Sequence, residues 1–513
     1  MKEFLKSKQG KICAVVLAVI LVAAVCYVAT HTFIDGQAYA NNAQVLDLQG
    51  QDVTREHFDA VREAFPDAEI LWDVPFQDGK VANTLPELTI TTLSQEDIRM
   101  LDYLPFLKTV DARGCTDYPQ LAALIAHRPE VEVLYNVTID GKAYPQDAEH
   151  LDLVGFTAED LALVQYLPTL TSVSAVGCRE YDRLMELRER YPQLALTYNV
   201  PIGGTDYPQD TTTLSLTDVE TEYLLQYLQY LPALESVTVM DPRYSEISMT
   251  DVAEAYPNAR FYWEMDVFGI HMTCDATEID LNKKALESVE AVELALANFP
   301  NLERAYLGRC GLDNDQLAAY RDRVRPNYKV VWNILLGALY VDTDATWFMP
   351  GKYDKGLIEE QAQLLKYFED MECIDVGHKP LLTCEFVRYM PKLKYLILAD
   401  TNIEDITPLE TCKNLVFLEL FMSFVTDYTP LLGCTALEDL NIAYTWGDPE
   451  PIKQMTWLKR LWWNCQEELE PELSAALPNT QLMLLSHPDA VAYGWRLGQR
   501  YYEQRDIMGV PYM

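Results

Sequence analysis

Basic side chains are scarce in this 513-residue chain: 40 Lys and Arg stand against 78 Asp and Glu, a formal net charge of -38. So acidic a surface repels phosphate backbones, which argues against nucleic-acid binding. Histidines number only 7, and none form a helical metal pair. HExxH and Cys/His clusters are absent, so neither a metal nor a cofactor is expected. The 11 cysteines include no CxxC pair, which removes zinc-ribbon and dithiol redox readings. Without GxSxG, a phosphate-binding Walker loop or GxGxxG, nothing announces a reaction, and the chain reads as non-enzymatic. Asp275, Asp342 and Asp344 supply too few oxygens for calcium. With only 22 Gly and 27 Pro against 49% apolar residues, disorder and collagen-like structure are excluded as well.

One long apolar run is present. Residues 12–29 read ICAVVLAVILVAAVCYVA behind Lys2, Lys6, Lys8 and Lys11, with no charge before Asp35. Roughly 18 to 20 apolar residues suffice to cross a hydrocarbon core, and flanking lysines hold their own side in the cytoplasm. Two readings stand. In one, residues 12–30 are an uncleaved single-pass anchor with everything C-terminal outside the cell. In the other the segment is a signal peptide removed near Ala40, where Ala38-Tyr39-Ala40 has the small-x-small form.

Five aromatics recur along the chain at Trp72, Tyr135, Tyr198, Trp263 and Trp332, spaced by 63, 63, 65 and 69 residues. A proline precedes each by six positions, from Pro66 to Pro326. Such periodicity means stacked supersecondary units. Residues 151–204 show the frame: strand LDL, then TAEDLALVQYL with Thr157 and Asp160 placed as a capping box; strand TSVSAVGC with helix EYDRLMELRERY; and the alternating strand LALTYNVPIGG, which carries the aromatic. The word YPQD follows at 144–147 and again at 207–210. Strands all in one order, alternating with helices, predict a continuous parallel sheet flanked by helices. Cys115, Cys178 and Cys310 fall at the same point of successive units, as expected of a small buried side chain.

Beyond residue 370 the period shortens to 22: Leu393-x-x-Leu396-x-Leu398 leads to Thr401, Ile403 and Leu409, then Leu415, Leu418 and Leu420, then Leu437, Leu440 and Ile442. The pattern LxxLxLxxTxIxDxxPL resembles the short leucine-rich repeats of internalin-type proteins. Together with YNVPIGG and GWRLGQRYYEQ, it resembles leucine-rich-repeat surface proteins of anaerobic, Firmicutes-like Gram-positive bacteria. The resemblance implies an α/β leucine-rich-repeat solenoid, a horseshoe with a parallel β-sheet on its concave face, behind one transmembrane helix. The expected organisation is a cytoplasmic basic tail (1–11), anchor (12–30), linker (31–43), long repeats (44–345), transition segment (346–370), short repeats (371–485) and C-terminal cap (486–513).

In LxxLxL strands the leucines point into the coil and the intervening residues face the open sheet. That places Tyr395, Phe417, Phe421 and Trp462 beside Glu419 and Asp439 as a candidate ligand-binding patch. The expectation is an exported, membrane-tethered protein recognising a protein or glycan at the cell surface. The alternatives are an envelope scaffold without a dedicated ligand and, behind it, an enzyme whose site carries no motif.

Overall fold

The computed structural model describes residues 8–351, 356–486 and 494–510. Most of the basic tail, part of the transition segment and part of the C-terminal cap fall outside them. The chain forms two compact units, Met1–Thr211 with Tyr230–Pro232, and Thr212–Gln229 with Ala233–Met513.

The first unit opens with a helix, Lys8–Thr30. Its stretch Lys11–Thr30 is long and apolar enough to cross a membrane, and none of it is buried. Residues 31–43, expected to be a linker, instead fold as an antiparallel hairpin that pairs His31–Ile34 with Gln37–Ala40. Asp35 and Gly36 make its turn at φ 48° and 82°, the left-handed pair that a two-residue hairpin loop demands. His57 fastens the hairpin to the first coil helix: Nε2 lies 2.7 Å from the Tyr39 hydroxyl and Nδ1 lies 2.9 Å from Asp35.

The long repeats of the first unit form three-stranded parallel ladders: Glu87–Thr89, Thr109–Asp111 and Glu132–Leu134, then His150–Asp152, Ser172–Ala175 and Ala195–Ile202. The second unit repeats this with Thr213–Thr217, Ser236–Met240 and Arg260–Val267, then Glu278–Asp280, Arg304–Tyr306 and Lys329–Val331. Amphipathic helices such as Tyr181–Arg190, with Leu184 and Leu187 buried, close the coils. The capping box forms as read: the Thr157 hydroxyl accepts from the Asp160 amide, and the Asp160 carboxylate accepts from the Thr157 amide.

The sheet is not continuous. After each third strand the chain enters an antiparallel hairpin, as in Asn136–Ile139 against Lys142–Pro145 and Asn199–Ile202 against Thr205–Pro208, and the parallel ladder stops there. The shared word YPQD supplies the stop. Gln146 Oε1 accepts from the Tyr135 amide at 2.9 Å while its Nε2 donates to the Val133 carbonyl at 3.3 Å. Gln209 does the same for Tyr198 and Leu196, and Asn83 for Trp72 and Ile70. A side-chain amide thus takes the place of the next strand's peptide group and satisfies an edge that would otherwise be raw. In the last long unit the Thr343 hydroxyl accepts from the Trp332 amide and no side-chain amide stands there.

All five recurring aromatics are buried. Four of them use their polar atoms as staples: the Tyr135 hydroxyl donates to the Tyr166 carbonyl, Tyr198 to Tyr230 and Trp263 Nε1 to the Asn298 carbonyl, all in later segments, while Trp332 Nε1 donates back to Asn314 Oδ1. The column is a packing spine.

From Trp347 the second unit changes character. Seven strands pair in parallel without interruption: Trp347–Phe348, Cys373–Asp375, Tyr395–Ile397, Phe417–Glu419, Asp439–Asn441, Arg460–Trp462 and Gln481–Met483. The segment read as a transition (346–370) contributes the first strand and a helical turn, Glu359–Ala362. Leu396, Leu418, Leu440 and Leu461 stack opposite one another inside the coils.

Candidate functional site

The register brings the six candidate residues together on one face of the seven-stranded sheet. Tyr395 stands opposite Phe417, which stands opposite Asp439; Glu419 stands opposite Asn441, which stands opposite Trp462. Phe421 lies at the strand ends, its ring edge-on to Tyr444 with centroids 5.6 Å apart. The expectation of an open patch is corrected. Tyr395, Phe417, Glu419, Asp439 and Trp462 are buried and Phe421 is half-buried, because the C-terminal segment lies across them.

That segment carries a short turn, Trp495–Leu497, and a helix, Gln499–Ile507. Trp495 packs on Phe417 and Trp462, with centroids 4.8 and 5.6 Å apart, and its Nε1 donates to Glu419 Oε2 at 2.8 Å. Arg460 locks the entry. Its guanidinium lies over the rings of Trp462 and Trp495, donates to Asp439 at 2.9 Å, and donates to the carbonyls of Gly494 and Trp495 at 2.8 Å each. Glycine at 498 makes this possible: a Cβ there would fall on the Arg460 guanidinium. Further along, the Tyr395 hydroxyl donates to Glu503 at 2.7 Å, and Arg500 Nε donates to Glu438 at 2.7 Å.

Burial under this cover pushes the Glu419 carboxyl above its ordinary range, with the nearby Arg496 only partly opposing it. Asp375 and Asp439 are raised by burial too, Asp439 against the pull of Arg460. Glu438 goes the other way: burial opposes ionisation, but Lys459 and Arg500 hold its carboxyl below the usual range.

What remains open is the edge of the sheet, where each strand turns outward. His378, Asp400, Met422, Tyr444 and Cys465 occupy equivalent places there, all with positive φ. Asp and His adopt that backbone with modest cost; Met422 and Tyr444, both at φ 58°, are costlier occupants. Two residues on, Phe424 and Trp446 repeat the pattern one coil apart. Met422 is 49% exposed, Phe424 61% and Trp446 68%, and Asp400, Asp427 and Asp448 stand exposed around them. Adjacent loops carry these side chains, since the Met422 amide donates to the Ala443 carbonyl at 3.0 Å. Sequence reasoning followed the strand positions and missed this row. Its signal was the 22-residue interval between Phe424 and Trp446, where the preceding coils carry Pro380 and Asn402.

Among the described residues no group of three or more His, Cys, Asp or Glu is placed to hold a metal ion. The repeat-equivalent cysteines Cys115, Cys178, Cys310, Cys412 and Cys434 are buried free thiols, filling space within their coils.

No protein-family model matches the chain, and no curated protein matches it. Among solved structures it is similar to an internalin of Listeria monocytogenes, at 12% identity over 80% of this chain and 86% of that one with a TM-score of 0.22. It is also similar to a leucine-rich-repeat protein of Leptospira interrogans, at 13% identity over 77% and 93% with a TM-score of 0.25. The ectodomain of a plant receptor kinase from Arabidopsis thaliana matches at 12% identity over 78% and 46%, with a TM-score of 0.24. Scores this low carry no argument about function; the coil architecture stands on strand register and pairing.

Proposed function

We propose that this chain is an exported, membrane-tethered leucine-rich-repeat protein of a Gram-positive cell surface that recognises a protein ligand through its short coils. One observation carries the reading: large apolar side chains, Met422, Phe424 and Trp446, stand exposed in register on adjacent coils. Two of the five equivalent edge positions with positive φ, Met422 and Tyr444, hold residues that gain nothing locally from that geometry. Exposed aromatic clusters rimmed by polar groups mark interaction sites more than scaffolds. The acidic rim favours a ligand segment that is apolar and basic. The helix Lys11–Thr30, apolar on every side, supports the tether. Tyr395, Phe417, Glu419, Phe421, Asp439 and Trp462 belong to a second surface on the same coils, argued below.

The test uses the full chain displayed on cells. Phe424→Ala with Trp446→Ala should leave the thermal transition within about 1 kcal/mol of wild type, because exposed side chains contribute little to folding. Capture of a cross-linked surface protein should fall at least tenfold. Unchanged capture sinks the reading, and loss reproduced by soluble oligosaccharide competition would move the ligand class to glycan. Detection of the intact N-terminus in the membrane fraction tests the anchor against cleavage near Ala40.

A further inference from the structure

The face beneath the C-terminal segment does not have the composition of a permanent core. Its counterpart inside the coils is apolar, with Ile374, Leu396, Leu418, Leu440 and Leu461, whereas this face carries buried Glu419, Asp439, Asn441 and Asn464, and the segment reaches Glu419 directly through Trp495. The covering segment differs from the rest of the chain in charge. Within residues 494–510 Arg496, Arg500 and Arg505 outnumber Glu503 and Asp506, in a protein whose net charge is -38. Basic and aromatic groups on one side meet acidic and aromatic groups on the other, the chemistry of a binding interface more than of an interior.

The fit is also incomplete. A cavity of about 80 Å³ persists between the two, lined by Asp375, His378, Glu419, Arg496, Gln504 and Arg505 among others. Arg496 Nε, Gln504 Oε1 and Asn441 Nδ2 are buried without a hydrogen-bond partner. A native interior leaves few such groups. Specific anchoring coexists with this looseness: Trp495 seats on Phe417 and Trp462 with its Nε1 on Glu419. The backbone comes closest to Trp462 at a glycine, since a Cβ at 494 would stand 3.1 Å from its ring.

We propose that the seven-stranded face is a groove for a helical segment bearing a tryptophan and arginines, and that residues 494–510 occupy it as a displaceable internal ligand. Tyr395, Phe417, Glu419, Asp439 and Trp462 are then the recognition residues of this groove. Arg460 is the gate that clamps the segment's backbone at Gly494 and Trp495. The proposal is independent of the exposed Phe424 and Trp446 row, and the two can fail separately.

The experiment uses the full chain with a protease site placed between Ser486 and Gly494, cut after folding. A fluorescent synthetic peptide of residues 494–510 is then added in excess. Exchange of the resident segment for the labelled one, with the coils' circular dichroism unchanged, is the expected result. A Trp495→Ala peptide should bind at least 100-fold more weakly, and a Gly498→Ala peptide at least tenfold. Phe424→Ala with Trp446→Ala in the chain should leave exchange untouched. A cut chain whose coils unfold, or a resident segment released only at the coils' own melting transition, overturns the proposal by making the segment an integral cap. In the uncut chain, Trp495→Ala should preserve the coil transition while amide exchange across residues 499–507 rises at least tenfold; loss of the coil fold again overturns it.

Discussion

The long and short coils solve the same problem, a strand edge, in opposite ways. In the long repeats each parallel ladder is closed by a hairpin, aided by a side-chain amide at Asn83, Gln146 and Gln209. In the short coils seven strands run on unbroken. The difference teaches where a ligand-sized surface is available. A three-strand ladder at about 4.8 Å per strand is roughly 10 Å wide, less than a helix with its side chains. Seven strands give close to 30 Å, and it is there that a helix lies on the sheet. Aromatic residues follow the same division: buried within the units as staples in the long repeats, gathered on the sheet face and its edge in the short ones.

Substituting one tryptophan in each region breaks the comparison most sharply. Trp332→Ala removes a buried staple and should cost about 3–5 kcal/mol in urea unfolding, with Asn314 Oδ1 left without its donor. Trp462→Ala, equally buried, should move the coil transition by less than about 1 kcal/mol, because its partners leave with the C-terminal segment. Comparable losses at both positions would erase the distinction between spine and face.

A smaller effect tests the amide closure. Gln209→Ala leaves the Tyr198 amide and the Leu196 carbonyl unmatched, for a loss of about 1–3 kcal/mol. It should also increase concentration-dependent association by light scattering, since the edge becomes a template for pairing. An unaltered Tm and scattering profile would show that water serves the edge as well as glutamine does.

The smallest effect concerns the charge beneath the cover. Because burial raises the Glu419 carboxyl, the folded protein holds that proton more tightly than the unfolded chain does. Its contribution to stability is therefore most favourable at low pH and declines as pH rises above the ordinary glutamate value of about 4.3. Glu419→Gln keeps an acceptor for Trp495 Nε1 and removes the charge. It should gain about 1 kcal/mol near pH 8 and nothing near pH 4. A constant difference across that range would mean that Arg496 compensates the charge fully.

Much of the coil register was legible in the residues. The LxxLxL spacing placed Leu396, Leu418 and Leu440 inside and their neighbours on the sheet face, because side-chain alternation in a strand is a local rule. Thr157 with Asp160 was legible for the same reason: a capping box is completed within four residues. The hairpins turn at Asp140-Gly141 and Gly203-Gly204, all with positive φ, and the expected continuous sheet makes no allowance for them. YPQD stood out as a word, yet its meaning needs a glutamine eleven residues past the aromatic it serves. The cover over Phe417 and Trp462 was harder still. Trp495 and Phe417 are far apart in sequence, and only the placement of Arg460 shows why glycines stand at 494 and 498. Solvent exposure depends on such distant contacts, so the patch was placed on the right strands and given the wrong surroundings.

The amide closure also bears on how a chain of this kind tolerates change in length. Each long unit closes its own parallel ladder before the next begins, so a whole unit could be gained or lost without baring a strand to its neighbours. Spacings that drift from 63 to 69 residues are what such self-contained modules permit. The seven-stranded region has no such internal full stops. Removing a coil there would shift every residue beyond it relative to the segment lying on top, which makes that stretch the one whose coil number is tied to its fit.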